Sequence, residues 1–397
     1  MGALLVTLQI ALTMTMIANI ASIVVSRSAL FMRPTGTDEE SLFALGYRFT
    51  NNDGTQGMLD ADLVSVRSVP GVVDAVATNS YPLRGSGLQQ GVSLRPGESA
   101  SQAAGGLATV YTMDAHGLST LGLQLASGRN FQSEEVVTGS SESGATANVA
   151  IITKSLARSL FVNREALGEQ IYLTSGDGSP PLLVIGIVER LQGVAAAGTL
   201  DPKLSENSVI LPIRSAGRSG LFIVRTKPGL LDETMLQVQA ALEKNNPNRF
   251  FGRLRPFTEI RASAYEKDRS IAIALTIAAL VLIVITVLSV AGLTSYWVVR
   301  RRLQIGIRRA MGATRVAIVR YFLMENAMLC AVGVALGGAI ALSANGWLLV
   351  RYGVEPIPIF ELIACSAAIM VVGQLAALLP AARAARVDPA VTLRVVA

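Results

Sequence analysis

The sequence predicts a membrane protein of four transmembrane α-helices, with a large α+β extracytoplasmic domain inserted between helices 1 and 2. Three observations predict it. The chain of 397 residues is 51% hydrophobic with a mean hydropathy of +0.47, too apolar for an ordinary soluble domain. Its apolar residues gather into long runs, one opening the chain and the others filling its last third. Its charge is partitioned as well: residues 27–269 hold 23 Lys/Arg against 24 Asp/Glu, whereas the rest holds 11 against 4.

Transmembrane helix 1, residues 1–26, rests on the run Ala3–Val25. Three further runs, Ile271–Val299, Tyr321–Val350 and Ile359–Leu379, match it in character. Each run is about 20 residues or longer, enough at about 1.5 Å rise per residue to cross a hydrocarbon core of about 30 Å. Backbone amides in hydrocarbon must be satisfied within their own segment, so the runs are helices. Helix 1 is expected to be retained, because Met1 and Gly2 supply no basic flank and no small-x-small cleavage site follows.

Residues 27–258 form the inserted domain, long enough for two subdomains. Val72–Val76, Val149–Ile152, Leu182–Val188, Val209–Leu211 and Leu221–Val224 are short β-rich runs between turn residues, hence strands. Thr153–Phe161 is expected to be a helix, and Asp232 to cap another whose Met235, Val238 and Leu242 recur at helical spacing until Asn246-Pro247. Gly97–Gly106, Glu134–Ala147 and Ser175–Pro181 are expected to be loops. Both cysteines, Cys330 and Cys365, fall in membrane runs, so this domain folds without a disulfide.

Residues 259–299 are expected to be a stalk continuous with transmembrane helix 2: Glu259–Arg269 is charged, lacks Gly and Pro, and leads straight into the apolar run. Ile271–Val299 alone would measure about 43 Å as a helix, longer than a bilayer core. A movement-transmitting rod and a plain anchor fit equally. Residues 300–320 then form a cytoplasmic loop, 321–350 helix 3, 351–358 an extracytoplasmic loop, 359–380 helix 4 and 381–397 a cytoplasmic tail.

Orientation follows from arginine. The 300–320 loop carries Arg300, Arg301, Arg302, Arg308, Arg309, Arg315 and Arg320 with no acidic residue, while the next connection carries Arg351 against Glu355 and Glu361. The positive-inside bias therefore sets the arginine loop and both termini in the cytoplasm and residues 27–270 outside. Arg27 and Arg33 run against the bias, which long translocated domains tolerate.

Several chemistries are excluded. There is no G-x-x-x-x-G-K-[ST], G-x-S-x-G, H-E-x-x-H or C-x-x-C, so neither a P-loop nor those catalytic and zinc signatures is present. His116 is the single histidine and reads as a domain residue with one hydrogen bond. Asp38-Glu39-Glu40 and Glu134-Glu135 read as solvated acidic turns, and Glu325 with Asn326 as interfacial or packing residues of helix 3. No basic face suited to nucleic acid is present. No catalytic, cofactor or metal site is expected in this chain.

The arginine loop is the most specific local feature. Arg301, Arg308 and Arg315 are spaced by seven, as are Arg302 and Arg309, and Ile307, Met311, Thr314 and Ile318 follow a helical row. A short bent helix interrupted at Gly306 and Gly312 is expected, lying on the membrane with arginines towards headgroups or a cytoplasmic partner. A basic loop that touches lipid alone is the plainer alternative. Gly333, Gly337 and Gly338 make a small-x-x-x-small pattern for close helix packing, within the subunit or against a second one.

These residues carry a family resemblance. Arg302–Thr314, R-L-Q-I-G-I-R-R-A-M-G-A-T, resembles the R-x-x-E-I-G-I-R-R-A-L-G-A-T signature of MacB/FtsX/LolC-type ABC transporter permeases. Pro380–Ala390, P-A-A-R-A-A-R-V-D-P-A, resembles that family's closing motif. Softer likenesses lie at Leu118–Phe131, Val149–Ile171 and Leu183–Val188, so nearly the whole chain is covered in the family's order. One departure stands out: the family's Glu is Gln304 here.

The resemblance implies a MacB-like (type VII) permease that relays ATP-driven motion to its periplasmic domain by mechanotransmission. It implies two cytoplasmic ABC ATPases holding ATP and Mg, a second permease subunit, identical or homologous, and in some relatives a periplasmic adaptor and outer-membrane channel. Carried onto this chain, Arg301, Arg302, Gln304, Ile305, Gly306, Ile307, Arg308, Arg309, Met311 and Gly312 would form the ATPase-coupling surface. Cargo would be a peptide, lipid, lipoprotein or drug. An FtsX-like module regulating a cell-wall hydrolase or an antimicrobial response is the alternative in another class. A receptor without an ATPase is a third.

Overall fold

The structure, a computed structural model, describes residues 2–50, 54–98, 105–139, 147–162, 164–174, 180–195, 204–352 and 356–384. It divides into two compact units, residues 1–29 with 268–397 and residues 30–267. The closing motif residues Ala385, Arg386, Val387, Asp388, Pro389 and Ala390, much of the tail, and parts of the three Gly/Ser-rich loops lie outside the described residues.

The chain opens with α1 (Gly2–Met32), which passes the expected end at residue 26. Its polar residues Ser26, Arg27 and Ser28 favour no alternative strongly enough to stop a helix, whereas Pro34 disfavours helical backbone at the residue before it. Arg27, which offended the charge rule, is paired with Asp268, so its charge is neutralised locally.

The inserted domain runs β1 (Leu42–Phe49), α2 (Gln56–Ser68), β2 (Val72–Thr78), β3 (Gln89–Ser93), β4 (Leu107–Thr112), α3 (Gly117–Leu121), β5 (Leu125–Gly128) and β6 (Val137–Thr138). It continues with β7 (Val149–Thr153), α4 (Lys154–Leu160), β8 (Gln170–Leu173), β9 (Leu182–Val188), β10 (Ser208–Leu211), β11 (Ile213–Arg214) and β12 (Ser219–Thr226). Then come α5 (Leu231–Asn245), β13 (Arg249–Phe251), β14 (Arg255–Pro256) and α6 (Phe257–Ala264). The expected strands are all present, β9 with the same limits. β1 and α2 were not expected. In β1 nearly every side chain is buried, so its apolar run lacks the polar alternation of a half-exposed strand.

Two main sheets carry the domain. One is antiparallel, in the order β13-β1-β12-β2 with β14 also on β1. The other is mixed, β5-β9-β7-β10-β4-β3-β8, and β8 pairs again with β9 so that its strands close on themselves. The period-two geometry of β1 divides the cores. Leu42 and Ala44 join Ile223, Tyr111, Ile151 and Ile210 in a core shared by both sheets. Phe43, Leu45 and Tyr47 pack instead against Leu59 and Val66 of α2 and Val238 and Leu242 of α5. A further core, built on Val92, Ile152, Val184 and Val209, fills the second sheet with Leu156 and Leu160 of α4. The two sheets are thus joined by a common core in one compact unit.

Asp232 does not cap α5. The helix starts one residue earlier behind Leu230, and Asp232 sits in its first turn, where a carboxylate still favours the partly positive helix end. Thr153, by contrast, caps α4: its Oγ1 accepts from the Leu156 amide at 3.4 Å.

The stalk expected to be one helix is two, α6 and α7 (Glu266–Arg300), separated at Tyr265 with φ −105° and ψ 6°. Local sequence contains no breaker, so tertiary contacts decide. Tyr265 is buried in the shared core, its ring 6.5 Å from that of Phe31, and its hydroxyl accepts from Gln192 Nε2 at 2.9 Å.

In the other unit α7 is followed by α8 (Arg302–Ala310), α9 (Arg315–Tyr352) and α10 (Ile359–Ala384). Among the described residues, α1, α7, α9 and α10 are the four helices long and apolar enough to cross a membrane. Their shared core includes Ile10, Met14, Val290, Cys330, Ile369 and Ala377. Two buried polar contacts cross it, Thr13 with Thr286 at 2.9 Å and Asn326 Nδ2 donating to Gly373 O at 3.0 Å. Gly373 is required there, since a Cβ would lie 2.7 Å from Cys330 Sγ.

Candidate functional site

The arginine segment folds as a turn, a short helix and a turn between α7 and α9. α8 is entered through Arg301, whose backbone lies off the helix at φ −105° and ψ 13°. It leaves through Met311 and Gly312, and Gly312 takes φ +95°, a left-handed value that glycine adopts without steric cost. The Ala313 amide then donates to Arg308 O at 3.0 Å, closing the helix end. Thr314 starts α9, its Oγ1 accepting from the Ala317 amide at 3.2 Å.

Of the two glycines expected to interrupt the helix, only Gly312 does so. Gly306 lies inside α8 and is buried. The consequence is that the seven-residue arginine spacing does not mark one helical face. Arg301 precedes α8, Arg308 and Arg309 belong to its last turn, and Arg315 opens α9. The row Ile307, Met311, Thr314, Ile318 is split in the same way: Ile307 and Met311 are exposed, while Ile318 is buried on α9.

α8 is held on one side by apolar packing and on another by cations. Ile305 is buried with Val298, Ile318, Phe322 and Ala381, drawn from α7, α9 and α10. Arg301 Nη1 donates to Tyr321 Oη at 3.1 Å and to Glu325 Oε2 at 2.9 Å. The Arg301 guanidinium also lies 5.8 Å from the Trp297 ring, and that of Arg308 lies 5.1 Å from the Tyr321 ring. A cation over an aromatic face contributes about 0.5–1 kcal/mol where exposed, and about 2 where desolvated. Tyr321 therefore ties both ends of α8 to α9. Glu325 turns out to be the counter-charge of Arg301, 24 residues away in sequence.

The opposite face of α8 is open. Arg302, Leu303, Gln304, Ile307, Arg308 and Met311 are exposed, and Met311 keeps 77% of its surface. Leu303 and Ile307 lie one turn apart, so an apolar ridge runs between arginines. Gln304 makes no side-chain hydrogen bond among the described residues. It lines, with Arg301 and Arg308, a cleft of about 90 Å³ beside Tyr321. The segment can thus offer a partner a rigidly mounted surface of mixed apolar and basic character. Tyr321, Trp297, Phe322 and Glu325 were not legible as its support, because the contacts span three helices.

Gly333 and Gly337 lie where α9 meets α1. An added Cβ would come within 2.8 Å of Ile10 at the first and 2.4 Å of Ala11 O at the second. Thr15 Oγ1 donates to Gly337 O at 3.0 Å across the same contact. Gly338 differs: a Cβ there meets nothing within 4 Å.

In the inserted domain His116 and Ser119 both bond Asp74, Nδ1 at 3.1 Å and Oγ at 2.7 Å. The hydroxyl faces the carboxylate and not the imidazole, so this is not a nucleophile–base pair. Burial raises the Asp74 pKa, but hydrogen bonds from Ser119, the Ala75 amide and His116 outweigh it and hold the carboxyl below its ordinary value. The acidic turns are neutralised by arginine: Asp38 by Arg225, Glu39 by Arg261 and Glu135 by Arg129.

Residues 1–245 match the MacB-like periplasmic core domain, and residues 276–389 match the FtsX-like permease C-terminal domain. Among curated proteins the chain is similar to the macrolide export ATP-binding/permease protein MacB of Chromobacterium violaceum, 25% identical over 278 residues, covering 68% of this chain and 40% of that protein. The protein of the same name from Escherichia coli strain K12 is 26% identical over 397 residues, covering 94% of this chain and 55% of that one. The chain spans about half the length of these relatives. Among solved structures, the extracellular domain of the ABC-type transporter YknZ from Gram-positive bacteria aligns at 15% identity and a TM-score of 0.33, covering 53% of this chain and 100% of that one. The periplasmic region of MacB from Actinobacillus actinomycetemcomitans aligns at 13% identity and a TM-score of 0.32, covering 57% and 94%.

Proposed function

This chain belongs to the MacB/FtsX-type family of ABC transporter permeases, and from that premise we propose that α8 seats a cytoplasmic ABC ATPase whose ATP-driven closure this subunit relays to its periplasmic domain. One observation carries the reading: α8 is anchored by Ile305 and the Arg301–Tyr321–Glu325 contacts, yet leaves Leu303, Ile307 and Met311 exposed between arginines. A surface that must transmit force needs both features, firm mounting and an unfilled outer face. Basic and apolar side chains together suit a protein partner with a complementary acidic, grooved surface.

In this reading ATP and Mg are bound on the ATPase, since residues 1–397 supply no P-loop, and two ATPases act with two permease subunits. Both termini and α8 face the cytoplasm. The relatives' printed function, macrolide export, makes efflux of a drug-like, peptide or lipid cargo the activity we assign. Motion enters at α8 and leaves through the chain's two connections to the periplasmic domain, α1 and α6–α7.

The test is co-purification of the full chain with its cognate ATPase, comparing wild type with Ile307→Asp and Met311→Asp. Each aspartate sits on an exposed position, so the fold is expected to persist while ATPase recovery falls at least tenfold. Unchanged recovery from both variants, with α8 intact, would refute the assignment of this face.

A further inference from the structure

The strongest unassigned feature is a cleft of about 520 Å³ in the inserted domain. It opens where β1, β12 and β13 run out past the core shared by the two sheets, facing the ends of β2 and β4. Its volume falls in the range of small-molecule sites, about 300–1,000 Å³.

Three properties of the lining specify a ligand. The first is charge: Arg48 and Arg84 line the cleft and no carboxylate does. Among the described residues the Arg48 side chain has no hydrogen-bond or ion-pair partner. Arg84 spends one donor, Nη1, on Asn79 O at 2.9 Å and leans 5.8 Å from the Tyr81 ring, which leaves the rest of its fork unspent. This contrasts with Arg67, Arg214, Arg225, Arg249 and Arg261 of the same domain, each of which is paired with a carboxylate. The second is apolar surface: Phe250 keeps 68% of its area exposed at the rim, and Leu221 and Ala77 lie deeper. The third is space: Gly46 and Gly252 occupy lining positions where side chains would otherwise stand, and a Cβ on Gly252 would meet nothing nearer than 3.6 Å.

We propose that this cleft is a binding site for a small acidic amphiphile, a ligand with a carboxylate for Arg48 and Arg84 and an apolar body for Phe250 and Leu221. Guanidinium forks suit a carboxylate because two parallel N–H groups meet its two oxygens, and a site with unpaired cations and no acid attracts anions before contact. A peptide with a free C-terminus and a medium-chain fatty acid share this chemistry. The assignment does not rest on coupling to an ATPase, and nucleotide plays no part in its test.

The full chain, held in nanodiscs of zwitterionic lipid, is titrated calorimetrically against empty discs. One arm uses N-acetyl-diphenylalanine and its carboxamide, the other decanoate and decanamide. The expected result is saturable binding of at least one acid, about tenfold or more tighter than its amide. Binding in one arm only identifies the source, peptide or fatty acid. Arg48→Gln and Arg84→Gln should each weaken the acid by about three- to tenfold without affecting the amide. Gly252→Leu should weaken binding about tenfold or more by standing in the cleft, with all charges retained, and any variant that melts differently from wild type is replaced by Gly252→Val. Equal affinity for acid and amide, binding unchanged in Gly252→Leu, or no saturable binding in either arm overturns the proposal.

Discussion

Tyr321 takes on two arginines at once, and its two chemical parts can be separated. Its hydroxyl accepts from Arg301 and its ring faces Arg308. Tyr321→Phe is expected to remove only the hydroxyl's bond to Arg301, which keeps Glu325 and Trp297, and Tyr321→Ala to remove both that bond and the ring facing Arg308. Amide exchange over residues 302–310 should then quicken slightly in the first variant and about tenfold in the second, about 1.4 kcal/mol of local opening. Equal protection in both variants would place the hold on α8 elsewhere. Asp74 offers a test by pH. Its carboxyl is held below the ordinary value of 3.8, so the stability it lends is present above that value and is lost as pH falls through the folded pKa. The contacts of α3 with β2 should therefore loosen in the acid range below about pH 4. Ser119→Ala removes a hydrogen bond to the charged form and should move the Asp74 titration upward, read by carboxyl carbon NMR. An unmoved midpoint would discount that bond.

Among elements, α9 approaches α1 closely at Gly333 and Gly337. Gly337→Val is expected to force the helices apart, because its Cβ would meet Ala11 O at 2.4 Å. Overpacking of this kind costs about 1–3 kcal/mol or more. Gly338→Ala has room and should leave the subunit's melting temperature unchanged; a shift as large as that of Gly337→Val would contradict the geometry. The joint between α6 and α7 is held differently. Arg261 donates to the carbonyls of Phe31 and Arg33 at 2.7 and 2.5 Å and pairs with Glu39, so one guanidinium fastens α6 to the chain leaving α1. Arg261→Ala leaves these acceptors without their donor and is expected to cost about 2–4 kcal/mol, read as a lower denaturation midpoint of the domain.

At the scale of the molecule, the proposal requires that Ser219 and Thr314 lie on opposite sides of the membrane. In a background free of Cys330 and Cys365, Ser219→Cys should react with an impermeant maleimide in intact spheroplasts. Thr314→Cys should react only after permeabilisation. Labelling of Thr314→Cys in intact spheroplasts would overturn this topology and remove α8 from any cytoplasmic partner. Relay of force also predicts that stiffness between α8 and its support matters. Glu325→Gln, which keeps an acceptor but removes the counter-charge of Arg301, should lower ATP-driven export more than it lowers ATPase recovery.

Much was legible from the residues alone. Helices that cross a membrane must satisfy their backbone internally and present apolar surface all round, so composition over about 20 residues suffices to find them. Strands such as β9 were legible for a similar reason, a short β-branched run bounded by turns. β1 was not, since burial on both faces erases its alternation. The break at Tyr265 lay beyond local sequence too, because a core contact overrides a helical propensity that nothing in Glu259–Arg269 opposes. The same holds for the arginine segment. Its motif, charge and glycines were plain in one dimension, but regular spacing implied a single face that the turn at Gly312 divides. Which arginines are anchored and which are open depended on Tyr321 and Glu325, residues of another helix, and only the packing of α7, α8 and α9 could bring them together.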